Sequence, residues 1–183
     1  VTVFGYDADG NTVSVTDALG NVTTNTYDEL SRLTATSDAL SQLTQYSYDA
    51  MGNLIRVIDP LGNETTNRYD TRDRLIESID SEGGKTQYGY DVDDNLVSVI
   101  DPVNNLTRFF YDARDRLIRE TDPLRNSRQS KYDLVDNLTT QIDRNGRQTD
   151  FAYDDLDRLM RETWIGDTQQ IDYTYDKLDN LTS

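Results

Sequence analysis

Carboxylates are the residues best placed to do chemistry in this chain. Asp7-Ala8-Asp9-Gly10-Asn11 and Asp91-Val92-Asp93-Asp94-Asn95 open like the oxygen-rich loop that coordinates calcium. A complete loop needs Gly at its sixth place and a bidentate Glu at its twelfth. Thr12 and Ala18 hold those places in the first stretch, and Leu96 and Pro102 hold them in the second. A turn is the preferred reading, and no metal ligand is assigned. Two carboxylates could instead hydrolyse a glycosidic bond. A catalytic pair should be unique in its chain, however, and nearly every Asp here recurs at one place in a repeat. Histidine and cysteine are absent, so this chain alone builds no Ser-His-Asp or Cys-His set, no thiolate metal site and no disulfide. The reading is that the chain is not an enzyme, with no catalytic, cofactor-binding or metal residues and no cofactor.

Two other signals have plain readings. Trp164 is the single tryptophan and sits in one irregular turn, Trp164-Ile165-Gly166-Asp167. An aromatic packed at an insertion is preferred there over a ligand platform. Asn21, Asn63, Asn105, Asn137 and Asn180 each begin an Asn-x-Thr sequon. Asn suits the end of a turn and Thr suits a strand, so the sequons follow from turn chemistry; glycosylation would need a secretory host.

The net charge of −16 argues against nucleic acid and anionic membrane as partners, which reward a basic surface. No apolar run is long enough to span a bilayer as a helix. Apolar residues are only 35% of the chain, against a usual share of roughly 45–50%. Disorder would follow if the sequence were not so regular.

The elements that must position these groups are set by a repeat. Tyr-Asp occurs at Tyr6, Tyr27, Tyr48, Tyr69, Tyr90, Tyr111, Tyr132, Tyr153 and Tyr175, spaced by 21 residues until a last gap of 22. Counting each unit from its Tyr, position 7 is Leu from Leu33 to Leu181, with Thr12 the exception. Position 12 is Asp from Asp17 to Asp143. Between these lie short runs of Val, Ile, Thr, Tyr and Phe, which read as strands. Two turns bound them. Asp49-Ala50-Met51-Gly52 and Asp59-Pro60-Leu61-Gly62 have Asp first and Gly fourth, as a type I turn with a left-handed residue prefers. From the fourth unit the first Gly becomes Asp: Asp73, Asp94, Asp115, Asp136, Asp157 and Asp179. Asp tolerates that conformation better than most residues.

The register then follows from parity. If the first turn pairs its residue i with i+4, Tyr faces the Leu six positions on. An unbroken ladder then brings successive units level with an offset of one residue, which exchanges the faces. Position 6 supports this by alternating Asn and Arg: Asn11, Arg32, Asn53, Arg74, Asn95, Arg116, Asn137, Arg158, Asn180. The structural repeat is therefore read as 42 residues, two units facing opposite ways. On this reading Val13, Val15, Ile55, Val57, Tyr27 and Tyr69 share the more buried face. Tyr46, Tyr48, Tyr88 and Tyr90 share the other with most of the charges.

Tyr-Asp-x-x-Gly-Arg/Asn-Leu followed by Asp-Pro-x-Gly-Asn-x-Thr resembles the YD, or Rhs, repeat over the whole chain. "YDAMGNLIRVIDPLGNETT" is similar to it almost position by position. The family includes bacterial Rhs polymorphic toxins, shell proteins of insecticidal toxin complexes, and teneurins. The resemblance implies hairpins wound into a hollow β-shell, which encloses a C-terminal toxin in the toxin members and supports cell adhesion in teneurins. The Asp replacements depart from the family pattern, and its self-cleaving terminal segment is not recognisable here.

The expectation is thus an all-β chain of antiparallel hairpin repeats in one continuous curved sheet, part of a β-shell or tube. Residues 1–183 form one array of nine YD units, beginning at Val1 as an excerpt would and ending inside strands. Its role is structural: a wall segment of a secreted polymorphic toxin. The alternatives are an adhesive or carbohydrate-contacting surface and a protomer of an extracellular filament. Expected partners are further YD repeats at open strand edges, an enclosed toxin domain, or a cell-surface glycan or protein. The expected location is extracellular or on the bacterial cell surface.

Overall fold

Runs of β-branched and aromatic residues between Asp-led turns form seventeen antiparallel strands in the computed structural model, and the described residues include no helix. The structure describes residues 1–166 and 169–182; Asp167, assigned by the sequence to the irregular turn, lies outside them. Strands β1 (Val3–Tyr6), β2 (Thr12–Thr16), β3 (Val22–Tyr27), β4 (Leu33–Ser37) and β5 (Leu43–Tyr48) come first. Then follow β6 (Leu54–Ile58), β7 (Glu64–Tyr69), β8 (Leu75–Ile79), β9 (Lys85–Tyr90), β10 (Leu96–Ile100) and β11 (Leu106–Tyr111). The last are β12 (Leu117–Thr121), β13 (Ser127–Tyr132), β14 (Leu138–Ile142), β15 (Gln148–Tyr153), β16 (Leu159–Ile165) and β17 (Gln170–Asp172).

Two units divide the chain: Val1–Tyr88 with Asp101–Val103, and Gly89–Ile100 with Asn104–Ser183. Each is a meander in which a strand pairs with the next one along the chain. The all-β class, the hairpins and the 21-residue unit are as the sequence reads.

The first turn also closes as expected. Asp49 N–H donates to Asn53 O at 3.0 Å and Gly52 N–H to Asp49 O at 3.2 Å. Gly52 has φ 96°, so the extra turn residue takes the left-handed conformation. Tyr48 consequently lies opposite Leu54. There the ladder slips, because Ser47 lies opposite Arg56 and not Ile55. Ile55 is a second extra residue, a one-residue bulge inside the strand. The slip recurs beside Tyr6, Tyr27, Tyr69, Tyr111, Tyr132 and Tyr153.

This bulge corrects the predicted register. With it, Tyr46 lies level with Val57 and Val57 with Thr65. The offset between successive units becomes two residues, and an even offset keeps the face. Tyr27, Tyr48 and Tyr69 therefore share one face of the first unit, and Tyr111, Tyr132 and Tyr153 share one face of the second. The exchange of faces from one 21-residue unit to the next, and with it the 42-residue structural repeat, does not occur. Val15 and Val57 lie with the tyrosines, whereas Ile55 and Arg56 both point to the opposite face. Thr34, the bulge residue of its hairpin, likewise meets Thr26 there, with the hydroxyls 3.2 Å apart.

Neither face forms a core. Among the described residues no apolar side chain is buried, and Glu77, 7% exposed, is the one buried residue. The tyrosine face is held by polar contacts to the backbone instead. Tyr27, Tyr48, Tyr69, Tyr111, Tyr132, Tyr153 and Tyr175 each donate a hydroxyl to the position-7 carbonyl of the preceding unit, at 2.9–3.2 Å. Asn25 and Asn67 donate to the same carbonyls, Thr12 O and Leu54 O, at 2.9 and 3.0 Å. A carbonyl has two lone pairs and can accept both. Each such bond contributes about 1 kcal/mol net.

The register has a clean test, since the chain has no cysteine. Cysteines placed at Gln45 and Ile58 should form a disulfide on mild oxidation, because these residues are direct partners. A pair at Gln45 and Val57 should not, because those side chains leave opposite faces. Non-reducing electrophoresis of the two variants reads the difference; cross-linking of the second pair alone would restore the unbulged ladder.

Candidate functional site

The chemistry-bearing residues gather in the turns, and each turn uses them in the same way. Asp7 Oδ1 accepts from the Asp9 and Asn11 N–H groups at 3.0 and 2.8 Å, and its Oδ2 accepts from Asn11 Nδ2 at 3.0 Å. Asp91 makes the same three contacts with Asp93 and Asn95. Both oxygens of each calcium-like leading Asp thus face its own turn, which is the chemistry of an Asx turn. At the second turns, Asp17 and Asp59 repeat the pattern with Asn21 and Asn63. The sequon residues Asn21, Asn63, Asn137 and Asn180 all spend their amides on these carboxylates.

Where position 6 is Arg the contact becomes an ion pair. Arg74 Nη2 lies 2.7 Å from Asp70 Oδ2, and Arg116 Nη2 lies 2.6 Å from Asp112 Oδ2. The Arg74 hydrogen bonds hold the Asp70 carboxyl at about 2, and those of Arg116 do the same for Asp112. The Asn11 amide, opposed in part by desolvation, lowers Asp7 less far.

The alternation of position 6 acts across turns, not across faces. Asn53 Nδ2 reaches Asp73 Oδ1 in the next turn at 2.8 Å; Asn95 and Asn137 reach Asp115 and Asp157 at 2.7 and 2.9 Å. Arg is longer and does more. Arg32 donates to Asp49 O at 3.0 Å and lies over the Tyr48 ring, 5.0 Å from its centre. Arg116 donates to Asp133 O and Asp136 Oδ1 at 2.8 and 2.7 Å and lies over Tyr132. Arg158 reaches Asp179 Oδ1 and lies over Tyr175. The turns that follow the Tyr-Asp pairs are thus tied to one another by Asn53, Asn95 and Asn137 and by Arg32, Arg116 and Arg158.

These contacts also account for Asp in place of Gly. Asp73, Asp115, Asp136, Asp157 and Asp179 all have φ between 58° and 75°, a strained region for an L side chain. Each offers a carboxylate to position 6 of the preceding unit, which Gly cannot do. Sequence reasoning saw the tolerance and missed the gain; the signal was the pairing of acidic position 5 with a donor 20 or 21 residues earlier.

Trp164 is half-buried, lies opposite Thr149, and its backbone N–H donates to Gln169 O at 3.2 Å. It borders an open groove of about 640 Å³ with Gln141, Asp143, Asn145 and Arg147.

The RHS repeat family matches residues 6–42, 27–64, 69–105, 90–127 and 132–163. No curated protein matches the chain by sequence. Its fold is similar to the crystal structure of TcdB2-TccC3-TEV, at 17% identity and TM-score 0.79 over 98% of this chain and 11% of that one. It is similar to TcdB2-TccC3 at 17% identity and TM-score 0.78, over 99% of this chain and 13% of that one. It is also similar to the Tc holotoxin pore of Photorhabdus luminescens, at 17% identity and TM-score 0.65, over 96% of this chain and 13% of that one. The chain thus spans 11–13% of the length of those chains.

The turn ion pairs set a direction for acid stability. Asp70 and Asp112 titrate lower in the folded chain than their ordinary value of 3.8. Their contribution is complete above that value and is lost as pH falls toward about 2. Thermal melts should show the midpoint falling through this window. Asp112→Asn, which keeps an oxygen for the backbone but no charge for Arg116, should show a smaller fall. An identical acid limb in the variant would contradict the ion-pair account.

Proposed function

The chain belongs to the RHS repeat family, and on that premise we propose that it is a non-catalytic wall segment of a β-shell that encloses a toxin domain. Residues 1–183 act in this reading as one continuous array. The observation that carries it is the use of the carboxylates. In turn after turn the leading Asp is committed to its own turn, and the Asp at position 5 to the Asn or Arg of the turn before, leaving a surface built for continuity and not for turnover. The partners on this reading are further repeats of the same kind. In the first unit β1 pairs with β2 alone among the described residues, and in the second β17 pairs with β16 alone, so each presents an open edge. The likeness to toxin-complex structures supports a bacterial, exported protein. No group on this chain is assigned a catalytic, cofactor or metal role.

Protease protection of the full-length protein tests this reading. A domain carried with the repeats should resist a protease that digests the same domain expressed alone. Equal digestion in both settings would overturn enclosure.

One observation favours a second reading, an adhesive surface that contacts carbohydrate. The Trp164 groove combines an aromatic ring with amide and charged groups, the mixture on which sugar rings stack and hydrogen-bond. A glycan retained on an array by the chain, and released by Trp164→Ala, would support it. No retained glycan would reject it.

A further inference from the structure

On the face opposite the tyrosines, cations are matched by carboxylates in the first unit. Arg56 lies 2.6 Å from Glu64, and Arg68 and Lys85 lie 3.2 and 3.9 Å from Glu77. Near the end of the second unit Arg161 lies 2.6 Å from Asp172. From β10 to β14 the matching stops. That face carries Arg108, Arg119 and Lys131 and not one Asp or Glu, in a chain whose net charge is −16. Glu120, the one acidic strand residue of these five strands, pairs with Phe109 and Arg128 on the tyrosine face. All three cations are exposed, and Arg119 lies over the Phe110 ring, 3.8 Å from its centre.

The pairing places the three on one straight diagonal. Arg108 lies opposite Thr121. Arg119 stands two residues back along β12, opposite both Phe110 and Gln129, and Lys131 stands two residues beyond Gln129 on β13. Diagonal neighbours of this kind are about 7–8 Å apart. In an extended polypeptide, side chains of alternate residues leave the same side with a spacing of about 6.4–6.8 Å. Three evenly spaced cations with no carboxylate on their face of β10 to β14, Asp150 on β15 being level with Lys131 two strands away, repel one another and attract a partner with anions at that spacing.

We propose that the Arg108–Arg119–Lys131 diagonal is a docking strip for an extended acidic polypeptide segment with Glu or Asp on alternate residues. The segment crosses β11, β12 and β13, with carboxylates taken by the two guanidinium forks and the ammonium group. Nothing in this inference depends on whether the array encloses a cargo.

Fluorescence anisotropy of a labelled synthetic peptide alternating Glu and Thr, titrated with the 183-residue chain, tests it. Binding should weaken with salt, and should fall at least about tenfold when Arg108→Gln, Arg119→Gln and Lys131→Gln are combined. Lys131→Gln alone should give a smaller loss. Arg56→Gln, which removes a cation already paired with Glu64, should leave binding unchanged. A peptide of the same composition with its Glu residues in one block should bind more weakly. Three results would each overturn the proposal: equal binding by wild type and the triple variant with matching melting curves, no preference for the alternating peptide, or binding of a sulfated polysaccharide with none of the peptide.

Discussion

A strand has a side-chain period of two, and this repeat has an odd length. That conflict is the constraint on which the structure depends. Two identical turns per unit would carry an unbroken ladder round with an odd offset, so each tyrosine would face away from the last. The bulge at position 8, seen at Ile55 between Leu54 and Arg56 and opposite the Ser47–Tyr48 step, removes one residue from the ladder. The offset becomes even, and the tyrosines within each unit form a row. Only because they form a row can each hydroxyl reach the position-7 carbonyl of the unit before it, as Tyr48 reaches Leu33 and Tyr69 reaches Leu54.

The consequence is a sheet with no buried apolar side chain among the described residues. Its stability is the sum of many small local terms: cross-strand pairs at roughly 0.2–1 kcal/mol each, tyrosine–carbonyl bonds, and turns closed by their own Asp. Terms of this kind couple a unit to its neighbours and to little else, as in other repeat arrays. The edge of turns adds a second set of neighbour links. Asn53 ties its turn to Asp73, and Arg32 ties its turn to the Asp49 carbonyl and the Tyr48 ring. Charged turn residues here are mechanical parts, and their lowered carboxyls follow from the hydrogen bonds and ion pairs that close the turns.

The strands and turns were legible because their signals are strong and local: Asp at the head of each turn, Gly or Asp at the left-handed place, Tyr before and Leu after. The bulge was not legible. Ile55 and Arg56 look like any two strand residues; no Gly or Pro marks the slip, since this bulge asks for no positive φ at either. Missing it, the alternation of Asn53 and Arg74 was assigned to exchanged faces. Its true cause is reach: Asn bonds the side chain of the next turn, whereas Arg32, Arg116 and Arg158 extend over the next tyrosine ring. The unpaired diagonal of Arg108, Arg119 and Lys131 was hidden for the same reason, because an incorrect register scatters these residues over two faces.

A sheet whose faces stay constant from one repeat to the next can present one chemistry on one face and another on the opposite face. That constancy rests on the one-residue bulge. Thermal unfolding of a variant with Ile55 deleted tests it most directly. Deletion removes only the extra residue and leaves Tyr48 opposite Leu54, Ser47 opposite Arg56 and Tyr46 opposite Val57, so the following strands keep their faces and Tyr69 stays beside the Leu54 carbonyl. The unfolding midpoint should fall no further than in Ile55→Ala, which trims the same side chain and keeps the residue. A much larger drop on deletion than on Ile55→Ala would show that Ile55 stands in the ladder and that the constant tyrosine face is wrong.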